Sequence, residues 1–215
     1  MKPTRLFNFL LGAALLFGVL AVASASAQVG RRLPPEMRHL VDAVTGVSML
    51  ALTTDPASDA KPYQTHPTWT ADGEWIIFRS NRDDQGNQAY LVHAARGDII
   101  QLTAGPDTGT GSLNLANQAM KLYYMRGGPR RGPAPADARP ETPRQLVELD
   151  LARLIPDALA DNVAEAARYE RIVATLPADL RDSGGFAIDA ADDVAYWGVA
   201  PGPAPAARPA TAAAA

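Results

Sequence analysis

The stretch from His66 to Gly105, HPTWTADGEWIIFRSNRDDQGNQAYLVHAARGDIIQLTAG, constrains the fold more than any other part of the chain. It divides into four short runs: HPTWT (66–70), EWIIFRS (74–80), QAYLVHA (88–94) and DIIQLTA (98–104). Each is rich in Trp, Ile, Phe, Tyr, Val and Thr, residues that fit a pleated surface. The breaks ADG, NRDDQGN and ARG carry Gly and Asp, which supply the backbone angles that tight turns need.

Four strands in about 40 residues, with a Thr-x-Asp-Gly turn, match the size of one β-propeller blade. Leu52-Thr53 recurs as Leu102-Thr103, as expected where the outer strand of one blade hands over to the next. A second, looser blade follows. GSLNLAN (111–117) stands for its first strand, KLYYMR (121–126) for its second, RQLVELDL (144–151) for its third and YERIVATL (169–176) for its outer strand. Its connections are long: GGPRRGPAPADARPETP (127–143) must loop out, because Pro cannot donate to a ladder or a helix interior. PDALADNVAEAAR (156–168) has helical composition with Pro-Asp at its start, so a short helix is expected there. A third blade opens with GGFAIDAADD (184–193) and VAYWGVA (194–200). The expected class is all-β: an incomplete β-propeller of four-stranded antiparallel blades over 40–199, about two and a half blades in all.

Residues 1–27 read as a signal peptide. Lys2 and Arg5 precede the apolar run Leu6 to Val22, and Ala25-Ser26-Ala27 offers a cleavage site before Gln28. A membrane anchor is the competing reading, since the run is near the lower length for spanning. The small-residue site and the lack of a charged stop sequence favour cleavage and export, periplasmic or secreted, with no membrane attachment afterwards. Cleavage removes two of the 20 basic residues and none of the 23 acidic ones, leaving a formal charge of −5. An acidic chain without a basic block argues against nucleic acid as partner. With no Cys, disulfides and thiolate metal sites are excluded. Residues 28–39 read as a loose lead-in, and 200–215 as a disordered Pro/Ala tail. A blade cannot bury both faces alone. The chain is therefore a truncated product, a self-associating ring or a small open stack, and truncation is the expectation.

The motif HPTWTADGEWIIFRSNRD…QAYLVHAARGDIIQLTAG closely resembles the blade repeat shared by TolB-type propellers and the oligogalacturonate lyase family. The lyase resemblance is wider. It starts at Val44-Thr45-Gly46 and Leu52-Thr53, and runs through Thr70-Ala71-Asp72-Gly73, Trp75-Ile76-Ile77-Phe78 and Gly86-Asn87-Gln88-Ala89-Tyr90-Leu91. Gln101-Leu102-Thr103, Tyr123-Tyr124 and Leu146 to Leu151 complete it. The resemblance implies the first blades of a seven-bladed ring that cleaves pectin-derived oligogalacturonides by β-elimination, with manganese held by His and Gln side chains. The family's metal ligands and catalytic residues lie in later blades, so none is carried over, and this chain is expected to be inactive alone. The alternative is a periplasmic TolB-like propeller that binds a protein.

In a blade, the loop between strands two and three shares a face with the link to the next blade. Segments 53–65, 80–87, 104–111, 127–143 and 176–183 therefore gather on one side. Insertions on one face mark a binding face. His66 starts an innermost strand there and is a candidate for contacting an anionic ligand or a metal; the bland reading is a hydrogen-bonded His at a strand end. Asn81 and Arg82 open the polar loop of the first blade, and Arg126 holds the matching place in the second. A guanidinium fork pairs two oxygens of a carboxylate, which a uronic acid offers, although Ser-Asn-Arg-Asp also recurs simply as a turn of this repeat. His93 reads as an ordinary sheet residue, and His39 carries no signal. Asp83 to Asn87 lacks the ligand spacing of a calcium loop. Trp69, Trp75 and Trp197 read as blade core.

Overall fold

Thr70-Ala71-Asp72-Gly73 shows in miniature how this sequence makes sheet. The Thr70 hydroxyl donates to Asp72 Oδ1 at 2.5 Å and accepts the Trp75 N–H at 3.1 Å, while Asp72 Oδ1 also takes the Glu74 N–H at 3.0 Å. Gly73 supplies the positive φ of 72° that reverses the chain. The turn delivers Trp75 directly into a strand.

The structure, a computed structural model, describes residues 28–83, 86–128 and 142–202. The signal-peptide reading of 1–27, most of the 127–143 loop and the 203–215 part of the tail lie outside the described residues. In chain order the strands begin with β1 (Arg32–Leu33), β2 (Arg38–Val41), β3 (Ser48–Ala51) and β4 (Asp59–Ala60). Next come β5 (Trp75–Ser80), β6 (Gln88–His93) and β7 (Ile99–Gln101). These form one sheet in the order β1-β7-β6-β5-β4. β8 (Thr108–Leu115), β9 (Lys121–Arg126), β10 (Gln145–Asp150) and β11 (Glu170–Thr175) form a second, in the order β11-β10-β9-β8. β12 (Leu180–Ile188) and β13 (Ala195–Pro201) make one separate hairpin, and β2 with β3 makes another. Among the described residues every pairing is antiparallel and no sheet closes into a barrel. The fold is all-β and propeller-like, with an incomplete set of blades.

Alternation within each strand supplies both faces of a blade. On β5 and β6, Trp75, Ile77, Ala89 and Leu91 point toward the second sheet, where Leu113, Leu122, Tyr124, Val147 and Leu149 meet them. Their neighbours Phe78, Tyr90 and Val92 face the other way. The opposite face of the second sheet, with Tyr123, Met125 and Leu146, packs on Phe186 of β12 and Trp197 of β13. Each fully buried side chain of this size contributes about 1.5–3 kcal/mol, so these layers dominate the fold's stability.

Three expectations change. HPTWT forms no continuous strand: Trp69 makes a single bridge to Ile76, and the edge of β5 is shared with β4. Pro67 has no N–H to give a ladder, which shortens pairing there. The lead-in is ordered. Val29 is buried, the Gly30 N–H donates to the Gln101 carbonyl at 2.7 Å, and β1 pairs with β7. The segment covers an outer edge whose backbone groups would otherwise stay unpaired.

The helix α1 spans Leu151–Leu159, starting upstream of Pro156, and a single 3-10 turn follows at Ala166–Arg168. Asp150 caps it, accepting the Arg153 N–H at 3.1 Å. Pro156 costs about 3 kcal/mol inside a helix. Burial of Leu151, Leu154 and Ile155 against the sheets, at about 1.5–3 kcal/mol each, outweighs that.

Candidate functional site

The connecting segments on the expected face do come together. The Ser58 N–H donates to Asn81 Oδ1 at 2.8 Å, the Thr110 hydroxyl to the Asn87 carbonyl at 3.2 Å, and the Gly127 N–H to the Asp107 carbonyl at 2.9 Å. Arg144 stands 3.7 Å from Asp182 on the same side. What the structure does with the candidate residues differs from one to the next.

Asn81 uses its side-chain oxygen to hold the link between blades. Arg82 follows it inward, with only 2 % of its side chain exposed. Its Nη1 donates to Glu36 at 2.6 Å, its Nη2 to Asp59 at 2.9 Å, and its Nε to the Ser80 hydroxyl at 3.0 Å. The guanidinium carbon lies 5.1 Å from the Phe78 ring centre and 5.3 Å from that of Tyr90. Burial works against its charge, but the hydrogen bonds and charges of Asp59 and Glu36 outweigh that and raise its pKa. The fork is thus occupied by the protein's own carboxylates, and Arg82 ties the lead-in to the first full blade.

Arg126 is different. Its side chain is 35 % exposed, and Nη1 donates to Glu170 at 2.6 Å while the Tyr124 hydroxyl donates to the other Glu170 oxygen at 2.6 Å. Burial opposes its charge, and Glu170 more than compensates, raising the pKa. It borders a cavity of about 580 Å³ with Gln28, Ala104, Val163 and Glu165. Burial, aided by the Glu170 charge, pushes the Tyr124 hydroxyl well above its usual range, so that phenol stays protonated as a donor.

His66 lies between innermost strands. Its Nδ1 is 3.0 Å from the Leu113 carbonyl, an acceptor, which places a ring proton on Nδ1. Tyr63 meets the ring edge-on at 6.0 Å between centres. The imidazole borders a cavity of about 440 Å³ with Ser112, Gly184, Gly185 and Tyr196, and an adjoining one of about 450 Å³ with Asn114 and Asn117. Gly185, at φ 88°, lets its backbone come up against the Ser112 side chain, where a Cβ would collide with the hydroxyl. The cavity is thus lined by one imidazole, the hydroxyls of Thr65 and Ser112, the phenols of Tyr63 and Tyr196, and bare glycine backbone.

The four candidates therefore fall in three separate places. Asn81 and Arg82 both act on the 58–59 link, Arg126 borders the cavity with Val163 and Glu165, and only His66 faces the inner space. Sequence reasoning passed over Ser112 and the Gly184-Gly185 pair. Their signal was the glycines at the start of two innermost strands, where backbone must approach closely. Among the described residues, no group of three or more His, Asp or Glu side chains is gathered to hold a metal ion.

No protein-family model matches the chain, and neither does any curated protein. Solved structures do. The fold is similar to an oligogalacturonate lyase in complex with manganese, at 22% identity and a TM-score of 0.56, over 77% of this chain and 36% of that one. It is similar to the oligogalacturonate lyase of Vibrio parahaemolyticus at 18% identity and a TM-score of 0.55, over 76% and 35%. The chain thus spans about a third of the length of these structures. The manganese of the first finds no ligand set among the described residues. At such identities the likeness is one of fold: this chain has the fold of part of the propeller seen in oligogalacturonate lyase structures.

Proposed function

We propose that this chain is an exported portion of a propeller that binds acidic oligosaccharides of the oligogalacturonide class. The fold likeness to two oligogalacturonate lyases carries the reading. The inner cavity beside His66 is the proposed site, with Nε2 as the imidazole's polar contact to the sugar. β-Elimination from a uronide needs a base for the proton beside the carboxylate and a cation to hold the enolate charge. Binding is the activity proposed for this chain by itself. Signal cleavage before Gln28 would deliver it to the periplasm or the medium.

A thermal melt of the purified protein with and without oligogalacturonate, and with and without Mn²⁺, tests the reading. Only binding to the folded state raises the transition, by about 2.7 kcal/mol of stability when the sugar is at a hundred times its Kd. The upward shift is expected with sugar alone and is expected to vanish in His66→Ala. A cooperative melt that the sugar leaves unmoved sinks the proposal.

A further inference from the structure

Arg144, just ahead of β10, is held differently from Arg82 and Arg126. Arg82 spends Nε and both terminal nitrogens on Ser80, Glu36 and Asp59, and Arg126 donates to Glu170 at 2.6 Å. The Arg144 side chain is only 19 % exposed, yet its buried Nε has no hydrogen-bond partner among the described residues. The carboxylate beside it, Asp182, stands 3.7 Å away, within reach of charge attraction but too far for a hydrogen bond. Asp182 is anchored on its other oxygen, which accepts the Trp197 indole N–H at 3.3 Å and the Gly185 N–H at 3.4 Å.

Packing rather than hydrogen bonding therefore fixes this guanidinium. A Cβ on Gly128 would stand 2.7 Å from Arg144 Nε and 2.8 Å from the guanidinium carbon, so only bare backbone lets the cation lie there. Gly128 is itself tied back, its N–H donating to the Thr142 carbonyl at 2.8 Å. A guanidinium that is mostly out of water and holds no acceptor is an uncommon arrangement, and a bound anion satisfies it.

Arg144 lines a cavity of about 380 Å³ between the second full sheet and the β12–β13 hairpin. Leu176 and Leu180 give it apolar walls, and Arg181 and Asp182 are its other charged lining residues. Two guanidiniums against one carboxylate leave a single positive charge. That balance matches a monoanion, whereas a dianion such as phosphate would leave a surplus beside Asp182. We propose that this cavity binds a small organic acid, its carboxylate on the Arg144 fork and its apolar body against Leu176 and Leu180. A concave, mainly apolar space with one well-placed charge is the usual form of such a site.

The site is separate from the one proposed for the sugar, because no residue lines both this cavity and those beside His66. The inference goes beyond the sugar-binding reading and does not depend on it.

Equilibrium dialysis of the purified chain against labelled phenylacetate tests the proposal, with phenylacetamide as the uncharged match. Phenylacetate should be retained, and the amide should bind at least about tenfold more weakly, since it offers no charge to the fork. Arg144→Lys keeps the charge but not the fork and should weaken retention about tenfold, while Arg144→Met should abolish it. His66→Ala should leave it unchanged. The acid–amide comparison uses the unaltered chain, so it decides the matter even if a variant fails to fold. No retention of phenylacetate, equal binding of the amide, or a folded Arg144→Met variant that binds like the parent overturns the proposal. So does retention that His66→Ala removes or that oligogalacturonate displaces, since the acid would then occupy the sugar cavity.

Discussion

Replacing Arg82 by Ala removes a guanidinium that is nearly sealed from water and leaves two carboxylates facing each other across the gap. Glu36 is also bound by the Thr54 and Asp55 N–H groups at 2.9 and 3.0 Å, so it cannot swing away without breaking the lead-in. Removing one partner of a buried ion pair costs about 3–5 kcal/mol. The side chains of Glu36 and Asp59 keep 17 % and 18 % exposure, which lets water recover part of the loss and favours the low end of that range. For a chain of this size, about 3 kcal/mol lowers the melting temperature by roughly 6–12 °C. Arg82→Lys keeps the charge but not the fork or the stacking on Phe78 and Tyr90, and is expected to lose about half as much. Arg82→Met combined with Glu36→Gln and Asp59→Asn should recover stability, since no unpaired charge remains. Urea unfolding followed by circular dichroism measures all three, provided the slope with denaturant is unchanged. A loss in Arg82→Ala of under about 1 kcal/mol, the level of an exposed ion pair, would refute the structural role. So would a lysine variant as stable as the parent that had lost only sugar binding.

Glu148 gives a pH prediction. Burial raises its pKa, but hydrogen bonds from Arg171, Tyr123 and Lys121 outweigh that and hold it below the ordinary carboxylate value. A folded-state pKa below the unfolded one contributes stability above the unfolded value that is lost as pH falls through the folded one, so Glu148→Gln should flatten the acid limb of urea midpoints. An unchanged acid limb would show that the cluster contributes nothing. Leu154→Ala empties a fully buried position on α1 against which Gly30 packs, and should cost about 2–5 kcal/mol by denaturant unfolding. The same variant should loosen the 28–33 segment, seen as faster amide exchange at Gln101, which pairs with it; unaltered exchange would separate the segment's order from the helix.

The strands were the most legible part of the sequence. KLYYMR coincides with β9, and the runs EWIIFRS, QAYLVHA and YERIVATL each contain β5, β6 and β11 with one or two residues to spare. Their pattern is local, and turn residues mark both ends. The lead-in was not legible, because its order comes from Gln101 and Asp98, some seventy residues further along the chain. Nor was the start of α1. Asp150 reads as the last step of an alternating strand and is also the cap of the next helix. The candidate site was the least legible. Arg82 and Arg126 occupy equivalent places in the repeat, yet one is sealed behind its own carboxylates and the other borders a cavity.

The sequence by itself determined the blade repeat, the turn chemistry at Thr70 to Gly73 and the alternation that gives each sheet two apolar faces. These depend on backbone angles and on a period of two, which neighbouring residues set among themselves. Only the tertiary structure decided which charges are spent on the protein and which face solvent, and that β2 and β3 form a hairpin apart from the first full sheet. An ion pair such as Arg82 with Glu36 joins residues 46 positions apart, and its partner is chosen by how the sheets stack. Nothing in the local sequence carries that choice.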